Sequence, residues 1–173
     1  LYLGSALQKP SEIKAGMAVS SPNFLKEACA QQKKYSNTLY AKNFLLSMKK
    51  KLKQKQQKFP DKLTIDEFKK VKTLTDFDNV YTSKAHGFKD AFDYYEKCSS
   101  SKGLKNINIP TLLINAQNDS FLSDKCYPNE VAKSNEKFFL ETPKHGGHLG
   151  FYDGKEMTYT EKRAFEFFKK IVL

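Results

Sequence analysis

The chain has no tryptophan, and only one of its thirty basic residues, Arg163, is arginine. Aromatic packing must therefore rest on nine Tyr and fourteen Phe. Bidentate reading of phosphate or guanine, which favours arginine, has a single candidate side chain, and this argues against nucleic acid as a partner. Three cysteines, Cys29, Cys98 and Cys126, lie far apart with no CxxC pair. That odd count argues against a disulfide framework or a zinc site and suits reduced thiols in a cytoplasm. No apolar run approaches the roughly 18 residues that suggest a membrane span, and the mean hydropathy is −0.63. Residues 1–7 are apolar but lack the basic flank and cleavage site of a signal peptide. The first residue is Leu rather than Met, so the sequence is expected to start inside a longer protein.

What is present suits one compact domain or a piece of a larger one. The 173 residues are 39% hydrophobic and 13% aromatic, too apolar for a disordered tail. The net charge of +11 is local. In residues 42–72, eleven lysines stand against Asp61, Asp66 and Glu67, so this window alone carries +8. Phe44, Leu45, Met48 and Leu52 fall at helical spacing there, with lysines on the remaining face. The plain reading is a solvated face. A module binding nucleic acid or anionic lipid through these lysines is the alternative.

The periodicity predicts a short buried strand over 13–21, stopped by Pro22, after what looks like a helix tail at 1–7. Residues 23–58 read as helix in two pieces, broken near Ser36-Asn37 and ended by Phe59-Pro60, with one or two helices over 63–78. Phe88, Ala91, Phe92 and Tyr95 share a face of an amphipathic segment over 86–98, which Ser99 to Gly103 terminates. Ile109-Pro-Thr-Leu-Leu-Ile-Asn-Ala116 is a near-continuous apolar run, as in parallel strands covered on both faces, with Pro110 near its start, where a missing donor is tolerated. A helix near 128–132, a strand over 136–141 and a loop over 142–153 follow. Thr158-x-x-Glu161 reads as a capping box for a last helix burying Ala164, Phe165, Phe168, Ile171 and Val172. The order implies an α/β sheet with a long helical insertion.

Two loops could carry chemistry. Asn115-Ala-Gln-Asn-Asp119 follows one strand, and His145-Gly-Gly-His148 follows the next. In a right-handed β–α–β unit both emerge at the carboxyl edge of neighbouring parallel strands. A carboxylate accepting from an imidazole Nδ1–H fixes the tautomer and leaves Nε2 as a base.

These residues carry a resemblance. Residues 109–119 with Cys126-x-Pro128, then Thr142-Pro-x-His-Gly-Gly-His148-x-Gly-Phe151, resemble the α/β-hydrolases, nearest to the YheT-like group of predicted esterases. Asp76-Phe-Asp78, Thr82, Gly87-Phe88 and Asp93-Tyr-Tyr95 look like that branch's cap-to-sheet segment. The resemblance runs from about residue 14 to the end, although the lysine-rich helices match in position only. It implies the C-terminal part of an α/β-hydrolase: residues 1–22 as the end of the nucleophile helix and a core strand, 23–85 as a helical cap insertion, and 86–173 as the part carrying the acid and base loops. It further implies a serine hydrolase of carboxylic esters, with Asp119 as acid, His148 as base, a small acyl ester as substrate and no cofactor. The family's G-x-S-x-G does not occur in this sequence. The nucleophile and oxyanion donors are therefore expected in an N-terminal half upstream of Leu1, without which the chain should be inactive.

Other roles compete at these positions. Ser20-Ser21 lies at a strand end but precedes Pro22 without flanking glycines, and it falls one strand too late for the nucleophile. His145, His148 and Asp119 make a known metal ligand set, although the glycines between the histidines fit a loop better. His145 reads as a loop residue shaping the pocket, His86 as a capping or packing residue, and Cys126 as a packed thiol near the acid loop.

Overall fold

The computed structural model describes residues 1–152, 154 and 156–172, with the backbone alone for Tyr35 and Val172. Asp153, where the last loop was expected to end, and the Val172 side chain, expected in the core, lie outside the described residues. The chain divides into two compact units, one formed by 1–24 with 99–173 and the other by 25–98.

The first unit is built on three strands, β1 (Gly16–Val19), β2 (Thr111–Ile114) and β3 (Phe138–Glu141). They are parallel and lie in that order, with Gly16 opposite Thr111 and Thr111 opposite Phe138. Period-two alternation sends neighbouring side chains to opposite faces. Leu113 and Phe138 pack on one face with Leu104, Ile107 and Val131, while Leu112 and Ile114 pack on the other with Phe151 and Phe167. All four β2 residues are buried, as the near-continuous apolar run predicts for a strand covered on both faces. Each fully buried Leu or Ile contributes about 1.5–3 kcal/mol of transfer free energy.

One difference from the sequence reading concerns residues 1–7, where only a 3₁₀ turn, Tyr2–Gly4, forms. The helix over 91–98 ends where Ser99 to Gly103 was expected to stop it, and residues 100–106 follow as 3₁₀ helix. A Cβ on Gly4 would lie 2.2 Å from the Gly103 carbonyl oxygen, so the two backbones pack directly. A second difference concerns the last helix, Tyr159–Val172. Its capping box forms as expected, with the Thr158 N–H donating to Glu161 Oε2 at 2.7 Å and the Glu161 N–H to Thr158 Oγ1 at 3.3 Å. However, Phe165 is exposed and Phe167 takes the core position, edge-on to Phe139 at 5.7 Å.

The second unit is helical: α1 (Leu25–Gln31), α2 (Thr38–Lys58), α3 (Ile65–Lys70), α4 (Leu74–Phe77) and α5 (Ala91–Cys98). Between α4 and Ser83–Ala85 the chain passes through a π-helical turn, Asp78–Thr82. Thr64 with Glu67, and Thr73 with Asp76, form capping boxes at α3 and α4. The core here is Leu52, Leu63, Val71 and Phe77. Of the predicted apolar stripe on α2, Leu52 is fully buried whereas Phe44 is exposed. Phe92 on α5 is exposed as well. Helix α5 belongs to this unit rather than grouping with residues 99–173, because Tyr95 joins Cys29 of α1 and Asp78 of the π turn. The Cys29 thiol donates to the Tyr95 hydroxyl at 3.1 Å, and that hydroxyl donates to Asp78 Oδ2 at 2.6 Å.

Candidate active site

Asn115, the first residue past β2, is completely buried and uses both ends of its amide. Its Oδ1 accepts the Ser21 N–H at 3.0 Å, and its Nδ2 donates to the Cys126 carbonyl at 2.8 Å. One side chain thus ties the end of β1 to the segment following the acid loop. The loop then turns tightly, with the Asp119 N–H donating to the Ala116 carbonyl at 3.1 Å and the Tyr127 hydroxyl donating to that same carbonyl at 2.6 Å. The turn aims the Asp119 carboxylate inward, with no exposed side-chain surface. A buried carboxylate must be hydrogen-bonded. Here Oδ1 accepts the Phe121 N–H at 2.9 Å, and Oδ2 lies 2.9 Å from His148 Nδ1.

His148 is carried by the loop after β3. That loop is fastened to the acid loop through backbone and amides: the Gln117 N–H to the Pro143 carbonyl at 2.9 Å, Gln117 Nε2 to the Thr142 carbonyl at 2.8 Å, and the Gly147 N–H to Asn118 Oδ1 at 2.9 Å. Gly147 has φ +58°, a left-handed conformation that glycine adopts without penalty. Gly146 is required for space, since a Cβ there would lie 2.6 Å from the buried Phe151 ring. The Phe121 ring packs against the imidazole, with centroids 4.7 Å apart. The His148 side chain keeps 32% of its surface exposed, so the ring is anchored at Nδ1 and still reachable from outside.

The remaining candidates separate from this pair. His145 and His86 are exposed. The His86 N–H closes the end of Ser83–Ala85 rather than starting the next helix. Cys126 is fully buried beside Ser123 Oγ at 3.8 Å, a packed thiol. Ser20 is buried with φ 49°, and its Oγ has no hydrogen-bond partner among the described residues, so no base there reaches it. Among the described residues no group of three or more His, Cys, Asp or Glu could hold a metal ion, so His145, His148 and Asp119 do not form one. Sequence reasoning missed Gln117 and Asn118 as the residues that fasten the two loops, and Asn115 as the tie between the end of β1 and Cys126. For Asn115 the available signal was an amide directly abutting an otherwise apolar strand.

YheT of Escherichia coli (strain K12), named as a candidate esterase, is 33% identical over 145 residues, covering 82% of this chain and 42% of its own length. An abhydrolase domain-containing protein of Dictyostelium discoideum is 31% identical over 162 residues, 92% of this chain and 41% of its own. The chain belongs to the α/β-hydrolase superfamily. Within that superfamily it falls in the YheT-like branch, and its parallel sheet with flanking helices fits the C-terminal portion of the α/β-hydrolase fold. Phospholipase ABHD3 of Mus musculus is a further α/β-hydrolase relative, 31% identical over 124 residues, 70% of this chain and 30% of its own length. The chain spans about two fifths of the length of the first two of these relatives. No family model and no solved structure matches it.

Proposed function

We propose that this chain supplies the acid and the base of a serine hydrolase acting on carboxylic esters. The observation that carries the reading is the 2.9 Å contact between buried Asp119 Oδ2 and His148 Nδ1 at the carboxyl edge of parallel strands. The relatives named esterase and phospholipase support an ester as substrate. In this reading the nucleophilic serine and the oxyanion donors come from an N-terminal half of the same protein, and the helical segment acts as the cap.

The chemistry follows from the geometry. His148 Nδ1–H donates to Asp119, which leaves the Nε2 lone pair free to take the serine proton as its oxygen attacks the ester carbonyl. The resulting imidazolium is stabilised by the buried carboxylate and returns the proton to the departing alcohol. Water then attacks the acyl-enzyme with Nε2 again as base, releasing the acid and restoring the serine.

The test is His148→Ala in the intact protein, assayed on a short acyl ester. Turnover should fall about 10³-fold or more with an unchanged circular dichroism spectrum. Undiminished turnover removes His148 from the mechanism.

A further inference from the structure

The helical unit holds a cavity of its own, of about 480 Å³, at the end of α2. Its apolar wall is Phe59, Leu63, Val80 and Tyr81. Leu63 belongs to the buried core of the unit, and Val80 and Tyr81 pack against that core, so the wall is held in shape. Val80 and Tyr81 sit on the π-helical turn Asp78–Thr82, and single π turns within helices are frequent at functional sites. The volume falls within the range of small-ligand pockets.

Ala85 and three lysines, Lys55, Lys62 and Lys84, complete the lining, and the lysines are not equivalent. Lys84 is paired with Glu67, whose carboxyl is lowered to about 2 chiefly by that hydrogen bond. Lys55 Nζ instead lies 4.8 Å from the Tyr81 ring centroid and donates to the Tyr81 hydroxyl, while Lys62 Nζ lies 5.9 Å from the Phe59 centroid. Neither Lys55 nor Lys62 has a carboxylate partner among the described residues. Two uncompensated ammonium groups therefore stand beside an apolar wall. The Tyr81 oxygen receives Lys55 and keeps its own hydrogen to donate.

We infer that this pocket binds a single-chain anionic amphiphile. Its carboxylate or phosphate head is held by Lys55, Lys62 and the Tyr81 hydroxyl, and its chain lies against Phe59, Leu63 and Val80. The uncompensated pair selects an anion over a neutral ligand, because charge-assisted hydrogen bonds are the stronger ones. The apolar wall selects an amphiphile over a bare anion or a nucleic-acid backbone, which would engage the exposed lysines of α2 without needing the cavity. The site lies within the helical unit and does not rest on the reading of Asp119 and His148.

The experiment is calorimetric titration of the intact protein with dodecanoate, dodecyl phosphate, dodecanol and inorganic phosphate, each kept monomeric. At least one anionic amphiphile should bind saturably, with dodecanol and inorganic phosphate about tenfold weaker or more. Its affinity should fall by about tenfold or more in Lys55→Gln/Lys62→Gln. Both side chains are exposed, and exposed lysine contacts such as those to Tyr81 and Phe59 contribute little to stability, so the thermal midpoint should move little. Lys53→Gln/Lys58→Gln removes as much charge outside the pocket and should bind like the parent, as should His148→Ala. Dodecanol or inorganic phosphate binding as tightly, unchanged affinity in the pocket variant, or equal loss in either control would overturn the proposal.

Discussion

Asn118 Oδ1 accepts the Gly147 backbone N–H at 2.9 Å, so the residue before Asp119 holds the residue before His148. The paired loops are thus set by a contact one step removed from the Asp119–His148 hydrogen bond, and the positions flanking that bond become testable.

Asn118→Ala removes one hydrogen bond from an exposed loop, a loss of about 1 kcal/mol. If the loop holds His148 in register, the expected effect is a roughly fivefold lower kcat at unchanged KM. Asn118→Asp keeps an acceptor and should recover most of it. Steady-state kinetics of the intact protein distinguish this from a structural role, in which thermal stability would fall and kcat would not.

Asp119→Asn preserves an acceptor for the Phe121 N–H and turns the group facing His148 Nδ1 into a donor. The imidazole is then held in the wrong tautomer, and kcat should drop by about 10⁴. A variant that folds normally and retains parental activity would remove Asp119 from the mechanism.

Gly146→Ala should destabilise the first unit by about 1–3 kcal/mol, because the new methyl meets a buried ring that has nowhere to go. Gly147→Ala meets no atom within 4 Å but must hold φ +58°, at a cost of about 1–2 kcal/mol. Denaturant titration checks both. A neutral Gly146→Ala would show that Phe151 can give way.

Glu141, the last residue of β3, is held below the usual carboxylate range, first by hydrogen bonds from Arg163, against partial burial, with help from the Tyr159 hydroxyl. Its folded value lies below its unfolded one. The stability it contributes is therefore full above the ordinary glutamate range and is lost as pH falls through the depressed value. Glu141→Gln should lower the thermal midpoint at neutral pH, and the gap to the parent should shrink in acid. A gap independent of pH would mean that the Arg163–Glu141 pair is not its source.

Much of this was legible locally. The apolar run at 109–116, the capping box at Thr158, and the break in the first helical stretch before Thr38 depend on neighbours within a turn or a strand, and the structure keeps them. The approach of Asp119 to His148 was legible because a β–α–β unit fixes where its loops emerge, and their side chains lie 2.9 Å apart. The contacts that fasten the two loops were not, since Gln117 and Asn118 meet a loop some 25–29 residues away.

The sequence by itself determined the type of most elements and the loops that carry Asp119 and His148, because periodicity and turn chemistry act between residues close in the chain. The tertiary structure decided which Phe of the last helix is buried, since the run Phe165-Glu-Phe-Phe168 offers adjacent faces and only packing on Phe139 and Leu112 chooses Phe167. It decided that α5 joins the helical unit, through Tyr95, and that Asn115 links strand ends 94 residues apart. It also gathered Lys55 and Lys62 beside Val80 and Tyr81 on a π turn. Such contacts are set by the space left once the core has packed, which local pattern does not encode.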